Sequence, residues 1–235
     1  MPKGILQPEL QRFYNDVNTY EFALDEAGRG CLFGRVYIAC VVLPKDPALF
    51  DGKNIKDSKK FSSKKKLNEV AEYIKQHALS WHISYIDEKV IDEINILQSS
   101  IRGMHDCIDK VIEKIGGFDN IENSLITVDG NYFHPYCRYN NIKNSITEIP
   151  HVTIEQGDGK LMAIAAASIL AKTARDNYVL ELCEQYPLLK ERYGMDKNMG
   201  YGTKQHLDGI RQYGITQWHR RTFGELCKNS QVNPI

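Results

Sequence analysis

Residues 36–43 read Val-Tyr-Ile-Ala-Cys-Val-Val-Leu, an unbroken apolar run rich in β-branched side chains and bounded by Gly34 and Pro44. A run this short and this apolar is a buried strand, and the apolar run 20–24 just before it is placed to pair with it as a hairpin. Residues 79–86, alternating Trp81, Ile83 and Tyr85, form a third strand, and 124–128 and 149–154 two short ones. Helical spacing covers three stretches. Ser62 or Ser63 caps a helix running to 77, with Leu67, Val70, Ala71 and Ile74 on its apolar face. Residues 91–115 carry Ile94, Leu97, Ile101, Met104, Ile108 and Ile112 and stop at Gly116-Gly117, and the alanine-rich run 160–183 can pack closely on a sheet. Past Tyr193 only short helices and loops are expected. The alternation of strands and helices predicts an α/β fold whose first hairpin makes the sheet mixed. The expected organisation is a main domain over 1–192 with a small helical C-terminal part, 193–235, packed on it.

No apolar stretch approaches the roughly 20 residues needed to span a bilayer, and residues 1–10 lack the basic and apolar regions of a secretion signal. An intracellular protein is expected, cytoplasmic, or nuclear in a eukaryote. The six cysteines are scattered without a Cys-x-x-Cys pair, which fits reduced thiols. His134 with Cys137 is the nearest approach to a zinc spacing and has no second pair. Thirty basic residues balance thirty acidic ones, so no global positive field points to nucleic acid. Locally, Lys53, Lys56, Lys59, Lys60, Lys64, Lys65 and Lys66 crowd one segment, and Arg211, Arg220 and Arg221 gather near the C-terminus. Either cluster could face phosphates or form a solvated face.

Chemistry concentrates where apolar runs end in acid. Asp25 and Glu26 follow the run 20–24 and lead into Ala27-Gly28-Arg29-Gly30. Two uncompensated carboxylates closing a buried strand are costly to desolvate unless a cation or a proton neutralises them. The pattern recurs at Val128-Asp129-Gly130-Asn131 and at Ile154-Glu155-Gln156-Gly157-Asp158-Gly159. One Asp before a Gly is an ordinary turn, whereas several acids at strand ends suit hard, oxygen-seeking ions such as Mg²⁺ or Mn²⁺. Gly28, Gly30 and Gly34 are spaced one residue too long for a dinucleotide fingerprint and precede a strand rather than a helix. No Walker loop, G-x-S-x-G elbow or H-E-x-x-H pair is present.

Eight segments occur in an order that resembles the type 2 ribonucleases H (ribonuclease HII). They are Asp25-Glu26-Ala27-Gly28-Arg29-Gly30, Asp57-Ser58-Lys59-Lys60, Asn95-Ile96-Leu97, Asp129-Gly130-Asn131, Gly157-Asp158, the Ala165 to Lys172 stretch, Gly200-Tyr201-Gly202-Thr203 with His206, and His219-Arg220-Arg221-Thr222-Phe223-Gly224. The resemblance implies a ribonuclease H-like fold and a metal-dependent endonuclease. Its expected substrates are the RNA strand of RNA/DNA hybrids and ribonucleotides embedded in duplex DNA, and its expected products carry 5′-phosphate and 3′-hydroxyl ends. It places the metal-binding, catalytic carboxylates on Asp25, Glu26, Asp129 and Asp158, with two Mg²⁺ or Mn²⁺ ions. It also places the recognition turn on Gly28, Arg29 and Gly30 and the recognition tyrosine on Tyr201. Arg29 favours type 2 over the related type 3 enzymes, which carry Lys there. Cys31 and Arg35 replace prolines usual in the family and Gln156 replaces a common lysine; none of these departures touches the carboxylates.

Asp176, closing Thr173-Ala174-Arg175-Asp176, competes for the fourth ligand place, but a mid-helix position 176 − 158 = 18 residues on lies roughly 27 Å along a helix axis, and Asp158 is preferred. Ser58 and Lys59 carry a hydroxyl and a charge suited to a backbone phosphate. Ser168 and Lys172, one helical turn apart, either orient substrate or pack on the sheet. The length suits a monomer acting without a membrane, and residues 227–235 show no sliding-clamp motif. The alternatives are a catalytically silent module that binds hybrid duplex, against which the four intact carboxylates speak, and a different two-metal nuclease or phosphatase, in which Arg29 and Tyr201 would have no task.

Overall fold

The computed structural model describes residues 10–235, so all but Leu10 of the segment read for a secretion signal lies outside the described residues. Its main sheet contains β1 (Tyr20–Ala27), β2 (Val36–Val42), β3 (Ser80–Ile86), β4 (Ser124–Asp129) and, after a separate hairpin of β5 (Tyr136–Asn140) and β6 (Ser145–Ile149), β7 (His151–Ile154). The strand order is β3-β2-β1-β4-β7; β2 runs antiparallel to β1 and β3, while β1, β4 and β7 are parallel. The mixed sheet expected from the first hairpin is present. Its three parallel members end at the same edge.

Both faces are covered by helices: α1 (Lys64–His77), α2 (Glu88–Lys114) and α3 (Met162–Gln185). Strand alternation sends Ala23, Ala39 and Val41 to one face, where Leu67, Val70 and Ile74 of α1 and Ile164, Ala167 and Leu170 of α3 close the core. Phe22, Leu24, Ile38 and Val128 point to the other and meet Met104, Cys107, Ile108 and Val111 of α2. There α2 approaches so closely that a Cβ on Gly103 would overlap Ile38. Beyond α3 come α4 (Leu188–Tyr193), α5 (Met195–Asn198), α6 (Lys204–Tyr213) and α7 (Gly224–Asn229). Tyr193, Met195, Ile210, Ile215 and Cys227 form a third core with Val179, Leu182 and Cys183 of α3 and with Phe33 from the β1–β2 connection. Among the described residues no helix is long and apolar enough to cross a membrane.

Four boundaries differ from expectation, each for a local reason. β1 continues past Leu24 through Ala27, because β2 goes on pairing with it at Asp25↔Ala39, Glu26↔Ile38 and Ala27↔Tyr37. The single strand expected over 149–154 is divided by Pro150, which has no N–H for a ladder, and its first part joins the unexpected β5–β6 hairpin. α3 starts at Met162, leaving Asp158 in a short 3-10 turn, Gly157–Gly159, ahead of it. α2 starts earlier, at Glu88, where the Asp87 side chain accepts from Val90 N, and it is interrupted at Asn95, whose φ is 65°.

At ψ 166° this is a positive-φ, extended conformation that favours glycine, and Asn95 holds it by restarting the helix, its Oδ1 accepting from Leu97 N at 3.0 Å and Gln98 N at 3.1 Å. Asn95→Ala is expected to lower stability by about 1–2 kcal/mol, since it removes the cap and keeps the strained φ. Asn95→Gly should cost less, because glycine relieves the strain; thermal unfolding of both variants checks the order.

Candidate active site

The β1–β4 register builds the site. Leu24 pairs with Val128, so Asp25 and Asp129 occupy the next positions on neighbouring parallel strands, whose spacing is about 4.8 Å. Asp129 pairs with Ile154 of β7, and the 3-10 turn after β7 returns Asp158 to the same edge. Ala23 and Asp25 share the α3 face by strand alternation, which puts Asp25 against Ser168 on α3. Ser168 Oγ lies 3.0 Å from Ser58 Oγ, so both motif serines are inside the site.

The electrostatics are those of an under-compensated anionic site. Burial drives the Asp25 carboxyl well above its usual range, and the neighbouring Glu26 and Asp129 charges push it further, against hydrogen bonds from Ser168 and from Glu26 N at 2.7 Å. Burial also raises Glu26, which the Arg29 guanidinium, 3.2 Å away, opposes. Asp129 is raised by burial and by Asp158, against a 2.6 Å hydrogen bond from Gly157 N. Lys59 reaches Asp158 Oδ2 at 3.3 Å; desolvation favours its neutral form, but Asp158, Asp57 and Asp25 outweigh that and leave its pKa raised. Asp176, the competing candidate, pairs with Lys172 at 3.0 Å.

Among the described residues no three His, Cys, Asp or Glu side chains stand close enough to form a finished ion cage. The donor set nonetheless fits a hard divalent cation: oxygen donors from three strand ends, with three carboxyls held in conditions where added positive charge is what their ionised forms lack. Beside Asp158 opens a cleft of about 1330 Å³ lined by Arg12, Lys53, Lys56, Lys59, Lys60 and Lys160. Part of the predicted lysine cluster therefore borders the acids, whereas Lys64, Lys65 and Lys66 are exposed at the start of α1.

The turn over Gly28, Arg29 and Gly30 is held from beneath by residues that the sequence reading did not single out or misplaced. Arg220, read as a possible phosphate contact, is instead fully buried and donates to Gly34 O at 2.8 Å and Arg29 O at 3.0 Å. Arg175, equally buried, donates to Met199 O at 2.8 Å and Phe33 O at 3.2 Å. Nothing in the local sequence signals these roles, because the accepting carbonyls come from distant segments. Of the other two C-terminal arginines, Arg211 pairs with Asp208 at 2.6 Å, and Arg221 N donates to Asp92 Oδ2 at 2.8 Å. The family departures are accommodated: the Cys31 thiol is buried against Met199 O, Arg35 stacks over Tyr85 and Tyr178 at 4.0 and 4.6 Å, and Gln156 adopts φ 56°. Gly200 O accepts from Leu32 N at 2.9 Å, which ties the Tyr201 segment to the turn, and the Tyr201 ring remains half exposed.

A mixed sheet with acids at the ends of its parallel strands, covered by helices on both faces, is the architecture of the ribonuclease H-like nucleases. The fold is shared with the ribonuclease H2 of Pyrococcus horikoshii OT3, at TM-score 0.65 and 22% identity over 89% of this chain and 95% of that one. It is shared too with Bst-RNase HIII in complex with Mn²⁺, at TM-score 0.59 and 16% identity over 91% and 66% of the two chains. The family model described as Ribonuclease HII matches residues 23–226, and the ribonuclease HII of Bacteroides thetaiotaomicron is 40% identical over 220 residues, 94% of this chain and 96% of that one. The chain belongs to the ribonuclease HII family.

The raised carboxyls have a stability consequence with a definite sign. An acid whose native pKa exceeds its unfolded value binds protons more readily when folded, so stability falls as pH rises through that interval and the deficit is complete above it. Asp25→Asn should therefore stabilise the ion-free protein at neutral pH by on the order of 1 kcal/mol, about 2–4 °C for a chain of this size, with the gain shrinking toward pH 4. Added Mg²⁺ should raise the wild-type midpoint more than the variant's. Unfolding scans with and without Mg²⁺ check both; a less stable variant at neutral pH would contradict the account.

Proposed function

We propose that this chain is a metal-dependent endoribonuclease that cuts the RNA strand of RNA/DNA hybrids and ribonucleotides embedded in duplex DNA, acting inside the cell as a single chain. The observation that carries this reading is that Asp25, Glu26, Asp129 and Asp158 lie at one edge of the sheet, beside a glycine turn whose Arg29 carbonyl is pinned by a buried arginine. Those carboxylates would hold two Mg²⁺ or Mn²⁺ ions, which when bound supply an activated water and stabilise charge on the departing 3′-oxygen. Lys59 at the rim, with the buried Ser58 hydroxyl behind it, would hold the phosphate next to the cut, and the lysine-lined cleft beyond them would carry the backbone onward.

Selection for ribose depends on the 2′-hydroxyl, the group that distinguishes RNA from DNA at the cut. Backbone amides and carbonyls of Gly28, Arg29 and Gly30 are the groups offered to it, with the Tyr201 ring against the sugar. The two glycines serve different ends. A Cβ on Gly28, at φ 91°, would overlap the Arg175 side chain, so Gly28 is required by the fold. A Cβ on Gly30 would meet nothing within 4 Å, so its absence leaves room for a ligand.

Two measurements follow. Wild type with Mg²⁺ or Mn²⁺ should cut an RNA/DNA hybrid and a DNA duplex with one ribonucleotide and leave the all-DNA duplex intact; an inactive wild type, or an Asp25→Asn variant that cuts undiminished, would sink the proposal. Gly30→Ala should keep wild-type stability within about 0.5 kcal/mol yet lose at least about tenfold in kcat/KM, whereas Gly28→Ala should be destabilised by roughly 2 kcal/mol or more. Equal stability losses in the two variants would overturn the division of roles.

A further inference from the structure

Beneath Tyr201 two buried histidines meet ring to ring. His206, on the first turn of α6, places Nδ1 2.9 Å from the Tyr201 carbonyl and Nε2 3.0 Å from Nε2 of His219. His219 Nδ1 in turn lies 2.9 Å from both the amide and the hydroxyl of Thr216. Their solvent exposures are 0% and 2%, so water cannot supply a missing partner. Phe33 packs edge-on to His219, and Tyr193 packs on both rings while sending its hydroxyl away to Gly214 O.

The partners at the two ends determine where the protons sit. A carbonyl only accepts, so His206 Nδ1 carries a hydrogen; a backbone amide only donates, and the Thr216 hydroxyl beside it can donate as well, so His219 Nδ1 carries none. Two neutral rings then leave a lone pair on His206 Nε2 and a hydrogen on His219 Nε2, which match across 3.0 Å. The chain runs in one direction: Thr216 N–H to His219, His219 N–H to His206, His206 N–H to the Tyr201 carbonyl. Any additional proton sets two donors face to face. Burial lowers the pKa of both rings, and the neighbouring His206 lowers that of His219 further.

We propose that His206 and His219 form a polarity-matched relay that positions Tyr201 against the ribose, making them positioning residues for substrate discrimination rather than core filler. The relay rests on the reading of Tyr201 as a substrate contact. It acts by holding the peptide after Tyr201: the Tyr201 carbonyl takes the His206 hydrogen bond together with one from Thr203 N at 2.7 Å, so the half-exposed ring projects from an anchored backbone. The same C-terminal stretch supplies Arg220 to the Arg29 carbonyl, so the two jaws presented to the sugar share one support.

The test measures kcat/KM on a DNA duplex carrying one ribonucleotide for wild type, His206→Leu, His206→Gln, Tyr201→Ala and the His206→Leu/Tyr201→Ala double variant. His206→Leu should lose about tenfold or more, and the double variant should fall no further than Tyr201→Ala alone, since the histidine acts through the tyrosine. His206→Gln, whose amide can donate to the Tyr201 carbonyl and accept from His219, should stay within about threefold of wild type. Full additivity in the double variant, or a Gln variant as defective as Leu, overturns the relay alone; an undiminished Tyr201→Ala overturns the tyrosine reading and the relay with it. Should His206→Leu not fold, imidazole ¹⁵N chemical shifts of the wild type decide independently: neutral Nδ1–H at His206 and Nε2–H at His219 are required, and any other tautomer pair contradicts the proposal.

Discussion

The parallel pairing of β1 with β4 sets the problem that the rest of the structure answers. It places Asp25 beside Asp129 with their strands already committed on the opposite sides, Asp25 to β2 and Asp129 to β7. Neither strand can slip by one residue without exchanging Phe22 and Leu24 for Ala23 and Asp25 between two different cores. The hydrophobic register therefore enforces a contact between like charges that electrostatics opposes. The surrounding donors, Ser168, Gly157 N, Arg29 and Lys59, soften the cost of burial and the repulsion without cancelling them, since Asp25, Glu26 and Asp129 all keep raised pKa values. A site so arranged gives up stability in the ion-free protein and gains affinity for divalent cations from the same source.

A second constraint concerns shape. The glycine-rich start of the β1–β2 connection cannot be made rigid by its own residues, because glycine adds conformational freedom. Rigidity comes from the C-terminal segment. Arg220 and Arg175 replace several water contacts with fixed hydrogen bonds to the carbonyls of Arg29, Phe33, Gly34 and Met199, and Leu32 and Gly34 exchange backbone bonds with residues 200, 218 and 220. Two buried guanidiniums are costly to desolvate, and the carbonyl clusters around them are what offset that cost. This explains why the segment after Tyr193, short of long elements of its own, packs into the α3 core and against Phe33 rather than hanging free.

Much of this was legible in the chain because it is written in local patterns. The buried run at 36–43, the helix capped by Ser63 and the mixed sheet follow from periodicity and capping chemistry, which neighbouring residues decide among themselves. Misreadings arose where a partner distant in sequence overrides a local pattern. β1 outlasts its apolar run because β2 keeps pairing with it, the β5–β6 hairpin stands apart with Tyr139 and Ile146 exposed, and Arg220 turns inward because carbonyls nearly two hundred residues away need a donor.

The sequence by itself determined which side chains are candidates for chemistry: acids at the ends of apolar runs, a turn rich in glycine beside the first of them, and lysines nearby. Tertiary structure alone decided that Asp25 and Asp129 are neighbours, that Gly28 yields to Arg175 while Gly30 faces open space, and that two histidines share hydrogens beneath Tyr201. The division is physical. Periodicity, turn preference and capping act over a few residues, whereas charge repulsion, desolvation and the matching of donors to acceptors depend on distance in space, which only the folded chain sets.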